Sequence, residues 1–102
     1  MRRVDVIQNK VAQYYEISLH NLLGSKRDPH FVRARRVAMY IARTHTDMSY
    51  PLLGAAFGKD HTTVIHAVKI LLEIIAKDKG IKEEIKEIEN WLPWMKESAG
   101  KK

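Results

Sequence analysis

The 102-residue chain contains no cysteine, which excludes a disulfide framework, a thiolate metal site and a cysteine nucleophile together. Its five glycines (Gly24, Gly54, Gly58, Gly80, Gly100) are too scattered to form a phosphate-binding loop. No uninterrupted apolar run approaches the roughly 20 residues needed to span a bilayer. The opening Met1-Arg2-Arg3-Val4-Asp5 turns polar at once and carries no secretory-signal pattern. Period-2 alternation, internal repeats and low-complexity segments are missing too. Five histidines are present (His20, His30, His45, His61, His66), but no His-x-x-x-His pair shares a helix face and no Glu completes a zincin arrangement. Asp60 and His61 are adjacent at a helix start, where side chains are expected to diverge rather than form an orienting pair. The expectation is therefore a non-enzymatic protein without cofactor or metal.

What is present fits one soluble, cytoplasmic domain: 45% hydrophobic and 29% charged residues in a chain long enough for a single core. The formal charge is +6, and it is unevenly placed. Residues 73–102 hold seven basic and seven acidic side chains, whereas residues 1–72 hold eleven basic against five acidic, so the whole excess lies there. The densest cluster is Lys26, Arg27, Arg33, Arg35, Arg36 and Arg43, opposed only by Asp28. Arginine's planar donor fork suits phosphate oxygens better than a lysine point charge does. On composition alone, a solvated face and a polyanion-binding face both remain open.

Apolar spacing reads as helix after helix. Val4, Ile7, Val11 and Tyr15 define one face of the first. Ser18 caps a short turn carrying Leu19, Leu22 and Leu23 that ends at Gly24, and Ser25 to His30 reads as a loop. Phe31 to about Thr44 follows, with Ala34, Val37, Ala38 and Ile41 inward. At about 100° per residue, Arg33, Arg36 and Arg43 fall on its outer stripe with Arg35 beside them. Ser49 and Pro51 open a short helix through Phe57, ended by Gly58. Asp60 is an N-cap candidate that opens a long helix to about Lys77, with Val64, Val68, Leu71 and Ile75 inward and Thr62, His66 and Lys69 outward. Gly80 is expected to break the pattern before a last helix, Ile81 to Leu92, that stops near Pro93. Ile81, Ile85, Ile88 and Leu92 read as core rather than as a docking stripe. Residues 1–97 form the expected domain, and 98–102 a flexible tail.

The helices at 49–57 and 60–77, joined by a tight turn at Gly58, have the outline of a helix-turn-helix. In that motif the second helix enters the major groove and its first residues meet the base edges. Here they are Asp60-His61-Thr62-Thr63, with no apolar side chain before Val64. An Asp can accept from a cytosine amine, and a Thr can offer a hydroxyl or methyl. Helix capping alone would explain Asp60 and Thr63 equally well.

The run Leu53-Gly54-Ala55-Ala56-Phe57-Gly58-Lys59-Asp60-His61-Thr62-Thr63-Val64-Ile65-His66-Ala67 closely resembles the signature of the C-terminal DNA-binding domain of the bacterial replication initiator family DnaA. The resemblance extends through Leu22-Leu23, Ser25-Lys26-Arg27, Arg33 to Tyr40 and Ile7 to Tyr15, and so covers about Val4 to Leu92. It implies an all-α, compact orthogonal bundle of the Trp-repressor-like kind. It implies sequence-specific binding of double-stranded DNA at AT-rich boxes of the TTATCCACA type, by a monomer in the cytoplasm, at the nucleoid. By the same resemblance Asp60, His61 and Thr62 read bases in the major groove, and Arg27 enters the neighbouring minor groove. Arg35, Arg36, Arg43, Pro51, Thr63 and His66 hold phosphates, and Thr46 and Lys59 sit at similar places.

Some residues depart from the family pattern. Gly58-Lys59 stands where two glycines and an arginine are common, so the turn is one residue shorter. Arg36 replaces a frequent glutamine, which adds a cation for phosphate. The segment Trp91-Leu92-Pro93-Trp94-Met95 is atypical and reads as a cap on the core, or else as a small partner patch. The initiators' ATPase module has no counterpart here. The chain thus reads as a domain of an initiator, whose ATPase module would be its partner, or as a DnaA-like module of a mobile element or phage. A basic protein-interaction domain is the reading of a different class.

Overall fold

In the computed structural model, which describes residues 1–95, six helices follow one another: α1 (Arg3–Tyr15), α2 (Leu19–Leu23), α3 (Pro29–His45), α4 (Tyr50–Phe57), α5 (His61–Lys77) and α6 (Lys79–Asn90). A further helical turn occupies 93–95. Among the described residues there is no strand. The expected tail at 98–102 lies outside them.

α3 is the axis of the bundle. Its Ala34, Val37, Ala38, Ile41 and Ala42 are fully buried, and it packs against α1, α2, α4, α5 and α6. Small alanines on this face let the neighbouring helices approach closely, while Ile7, Leu22, Leu53, Phe57, Leu71, Ile81 and Ile88 fill the space between them. The radius of gyration, 13.0 Å, is that of a close-packed chain of this length. All four residues of the stripe Ile81, Ile85, Ile88 and Leu92 are in the core, as expected of a bundle helix.

Two helix boundaries differ from the sequence expectation. Asp28-Pro29 belongs to the start of α3 rather than to a loop, because the Asp28 carboxylate accepts from the His30 amide at 2.9 Å and Pro29 occupies a first-turn position that needs no donor. Gly80 does not break the helix. The break is Asp78, whose extended backbone ends α5 and whose carboxylate accepts from the Gly80 amide at 2.8 Å, leaving Gly80 inside the first turn of α6.

α6 is fastened by its carboxylates. Glu84 accepts two bonds from Arg33, at 3.2 Å (Nε) and 2.8 Å (Nη2), and a third from the Tyr15 hydroxyl at 2.9 Å. Glu87 accepts from the Tyr14 hydroxyl at 2.6 Å, and Glu89 pairs with His45 Nε2 at 2.6 Å. Arg33 is thereby withdrawn from the expected outer stripe, into an ion pair with the last helix. Burial works against ionised Glu84, but the Arg33 and Tyr15 bonds outweigh it and hold its pKa below the usual glutamate value. Burial first, then Glu84, pushes the Tyr15 phenol upward, and the Glu87 bond raises Tyr14 to about 12.

The segment after α6 caps the core. Leu92 is fully buried, and Trp94 and Met95 pack against the bundle. Trp94 Nε1 donates to His45 Nδ1 at 3.1 Å, and the Arg3 guanidinium lies over the Trp94 ring at 4.6 Å. Trp91 meets the Tyr14 ring edge-on and stays 42% exposed.

Because Glu84's pKa is lowered on folding, its contribution is complete above the unfolded value near 4.5 and is lost as pH falls through the depressed one. Glu84→Gln should lower the thermal midpoint at pH 7 by roughly 4–8 °C, equivalent to about 1 kcal/mol for a partly screened pair. In thermal melts the gap between wild type and variant should narrow progressively as pH falls below 4.5. Parallel curves from pH 7 to pH 3 would contradict the assignment.

Candidate nucleic-acid interface

The helix-turn-helix is built by local rules. Ser49 caps α4 by accepting from the Leu52 amide at 3.3 Å, with Pro51 in the exposed first turn. Gly58 ends α4 in the left-handed conformation (φ 66°), which costs glycine least. Its amide and that of Lys59 return to the Ala55 and Gly54 carbonyls. The turn is so tight that a Cβ on Gly54 would lie 2.7 Å from the Lys59 carbonyl oxygen, so residue 54 has to be glycine. Buried Gln8 donates from Nε2 to the Ala56 carbonyl at 3.0 Å and ties α4 to α1.

α5 then presents Asp60, His61, Thr62 and Thr63, all exposed, while Val64, Ala67, Val68 and Leu71 anchor its inner face. Asp60 is the N-cap residue of α5, as expected, although its carboxylate makes no cap bond. One expectation about this turn is corrected. The Asp60 carboxylate does not diverge from its neighbour, for it accepts from Thr62 Oγ1 at 3.0 Å and pairs with His61 Nδ1 at 3.1 Å. The extended backbone at residue 60 turns the carboxylate across the outside of the first turn. The Thr62 bond, with His61 assisting, holds the Asp60 pKa below its usual value, so the group is ionised at neutral pH. The three side chains form one small hydrogen-bonded polar unit at the helix tip.

The arginines divide by what they touch. Arg27 is exposed on the loop after α2 and Arg36 is half-buried on α3, and among the described residues neither guanidinium has a hydrogen-bond or ion-pair partner. Both line a cleft of about 430 Å³ whose other wall carries Thr63 and His66 of α5. Arg43 donates to the Met48 carbonyl at 2.9 Å and lies over the Tyr50 ring at 4.2 Å, beside exposed Pro51. Thr46 donates from Oγ1 to the Ala42 carbonyl at 2.7 Å and accepts from the Met48 amide at 3.2 Å. These contacts brace the α3–α4 corner.

Arg35 and Lys59 line the same cleft, but their side chains donate to backbone carbonyls. Arg35 is only 8% exposed, and its guanidinium donates to the carbonyls of Leu22 (2.8 Å), Lys26 (2.6 Å) and Asn21 (2.8 Å). Burial lowers its pKa, but an arginine remains charged. Lys59 Nζ donates to the Leu23 carbonyl at 3.1 Å and to that of Gly24 at 2.8 Å. Both cations face backbone oxygens of the α2 end. Sequence reasoning also missed Tyr50 as the ring that positions Arg43. Its only signal was an aromatic residue beside the Pro51 helix start.

A basic loop, an unpaired arginine on a buried helix and an exposed polar helix tip after a glycine turn together define a helix-turn-helix DNA-binding domain. The chain belongs to the family described as the bacterial dnaA protein helix-turn-helix, which matches residues 4–70. It is 47% identical over 87 residues to the chromosomal replication initiator protein DnaA of Enterococcus faecalis, an alignment covering 84% of this chain and 20% of that protein. The DnaA proteins of Caldanaerobacter subterraneus subsp. tengcongensis and Rhodopseudomonas palustris strain BisB18 are 42% and 44% identical over 85 and 84 residues, covering 83% and 81% of this chain and 19% and 18% of theirs. The chain spans about a fifth of the length of these relatives. Among the described residues no helix is long and apolar enough to cross a membrane, and no group of three or more side chains could hold a metal.

Arg35→Met should cost about 2–3 kcal/mol in urea unfolding, because it removes the charged donor from three carbonyls. Arg36→Met should cost under about 0.5 kcal/mol, as expected of an unpaired surface residue. Equal costs would show that the carbonyl contacts do not hold the loop.

Proposed function

We propose that this domain binds double-stranded DNA sequence-specifically at DnaA-box-type sites, as a non-enzymatic monomer, in the setting of replication-origin recognition in the bacterial cytoplasm. The observation that carries the reading is the placement on one side of the molecule of unpaired Arg27 and Arg36, the cleft between them and α5, and the exposed Asp60-His61-Thr62 tip. In helix-turn-helix complexes the second helix meets base edges, and backbone contacts from the rest of the domain set its register. Asp60, His61 and Thr62 then read the major groove. The ionised Asp60 carboxylate accepts from a base amine, and its bonds to Thr62 and His61 fix the direction of the other two groups. Arg27 reaches the adjacent minor groove, where narrow AT-rich DNA concentrates negative potential.

Arg36 and Arg43 take phosphates, with Thr63, His66, Thr46 and Pro51 flanking the strand. In this reading Arg35 and Lys59 support the loop instead of taking phosphates, because Arg35 donates to three backbone carbonyls and Lys59 to two. The alignments cover about a fifth of the longer initiator proteins, and we propose the ATPase module that the family resemblance implies as the partner of the domain in such a protein.

The domain should bind a duplex with one DnaA box more tightly than a scrambled duplex of equal composition, measured by fluorescence anisotropy at moderate salt. Arg36→Ala should weaken both complexes alike and reduce the log–log salt slope by roughly 0.9. His61→Ala or Thr62→Ala should instead lower discrimination by about 1–3 kcal/mol. Equal wild-type affinity for the two duplexes would sink the specific-binding reading and leave a general polyanion surface.

A further inference from the structure

Two elements of the proposed interface belong to different parts of the chain. Arg27 sits on the loop after α2, and Asp60 to Thr62 sit at the start of α5. Reading two grooves in one register requires a fixed distance between them, since a displacement of either by about a base-pair rise would misalign its contacts. The loop itself has no regular hydrogen bonding to supply that rigidity. The last carbonyls of α2 have no partner within their own helix.

One side chain links the two directly. Lys59 lies between the left-handed Gly58 and the first reading residue, Asp60. Its ammonium crosses to the α2 end and donates to the carbonyls of Leu23 and Gly24, 36 and 35 residues earlier in the chain. From Gly24 only two residues intervene before Arg27. The backbone at Lys59 is itself immobilised, since its amide donates to the Gly54 carbonyl at 2.8 Å and its own carbonyl presses on the face of Gly54. Arg35 secures the same stretch from the other side, through Asn21, Leu22 and Lys26. The loop is held between a guanidinium that fixes it to α3 and an ammonium that fixes it to the recognition turn. Lys59 is the only one of the two that stands on a reading element.

Resting on the DNA-binding reading above, we propose that Lys59 is a positioning residue that couples the minor-groove loop to the recognition helix, its ammonium serving backbone carbonyls instead of a DNA phosphate. Lysine's long flexible stem is suited to this bridge, because it lets one ammonium reach two adjacent carbonyls. The specificity effect of Lys59 therefore passes through Arg27.

The test combines Lys59→Met, Arg27→Ala and the double variant, each titrated with box and scrambled duplexes over a salt series. Lys59→Met keeps the apolar stem and removes the ammonium. It should reduce the preference for the box about five- to tenfold, the low end for one lost base contact, with the salt slope unchanged. In the Arg27→Ala background the same change should alter the preference by less than about twofold, and Lys59→Arg should retain most of it. A salt slope lower by roughly 0.9 would make Lys59 a phosphate ligand and overturn the proposal. Independent, multiplying effects of the two substitutions would overturn it as well.

A second measurement needs no DNA. In the free protein, Lys59→Met should shift the backbone amide resonances of residues 24–27 and raise their nanosecond mobility in nitrogen-15 relaxation, while those of α1 and α6 stay in place. Unchanged loop resonances would overturn the coupling even if DNA binding behaved as expected. Failure of the DNA-binding reading itself would appear separately, as a wild-type protein that does not prefer the box.

Discussion

The guanidinium of Arg35 is the contact on which the proposed reading face depends. A five-residue helix such as α2 cannot satisfy its own terminal carbonyls, and a loop that follows it has no ladder to join. Leaving those oxygens buried and unpaired would cost about 1–3 kcal/mol each. Arg35 answers three of them from inside the bundle, where it is itself fixed between Ala34 and Arg36 on the most buried helix. The loop carrying Arg27 thereby takes its position from the hydrophobic core. Lys59 repeats the device from the turn before α5, and the absence of a side chain at Gly54 brings that turn close enough.

Net charge is a poor guide to which cations are available. The chain carries +6, yet Arg33 is spent on Glu84, Arg3 lies over Trp94, and Arg35 and Lys59 face carbonyls. Of these cations only Arg33 meets an acid of the electrically neutral C-terminal third; Glu87 and Glu89 accept instead from Tyr14 and His45. The effect of the three carboxylates is to fasten α6 to α1 and α3. In the proposed reading, specificity rests on a tip whose most prominent charge is negative, the ionised Asp60. That reading assigns attraction to DNA and recognition of its sequence to different residues.

The helices were legible in the sequence because each buries one face, and a 3.6-residue period survives in the spacing of Val4, Ile7 and Val11 or of Ile81, Ile85 and Ile88. The tip of α5 was legible for the same reason, as a polar run before Val64. The boundaries at Asp28 and Asp78 were less so. Asp-Pro and Gly are turn signals and also good first-turn residues, and only the carboxylate-to-amide bonds decide between these roles. The fate of the arginines was not legible at all. At about 100° per residue, Arg36 and Arg43 share a direction and Arg33 lies some 60° round from them. Periodicity places that direction relative to the core but does not say which neighbour rests there. Glu84 lies 51 residues further along, and the carbonyls that receive Arg35 leave no mark in side-chain identity.

The central claim is that one face, formed by the loop at 25–27, Arg36 and the first turn of α5, receives DNA, while α6 does not. Backbone amide shift mapping on titration with a box-length duplex tests this most directly. The account predicts the largest changes at residues 25–27, 36 and 60–66, with α6 unmoved. Changes centred on α6 or spread evenly over every basic residue would contradict it.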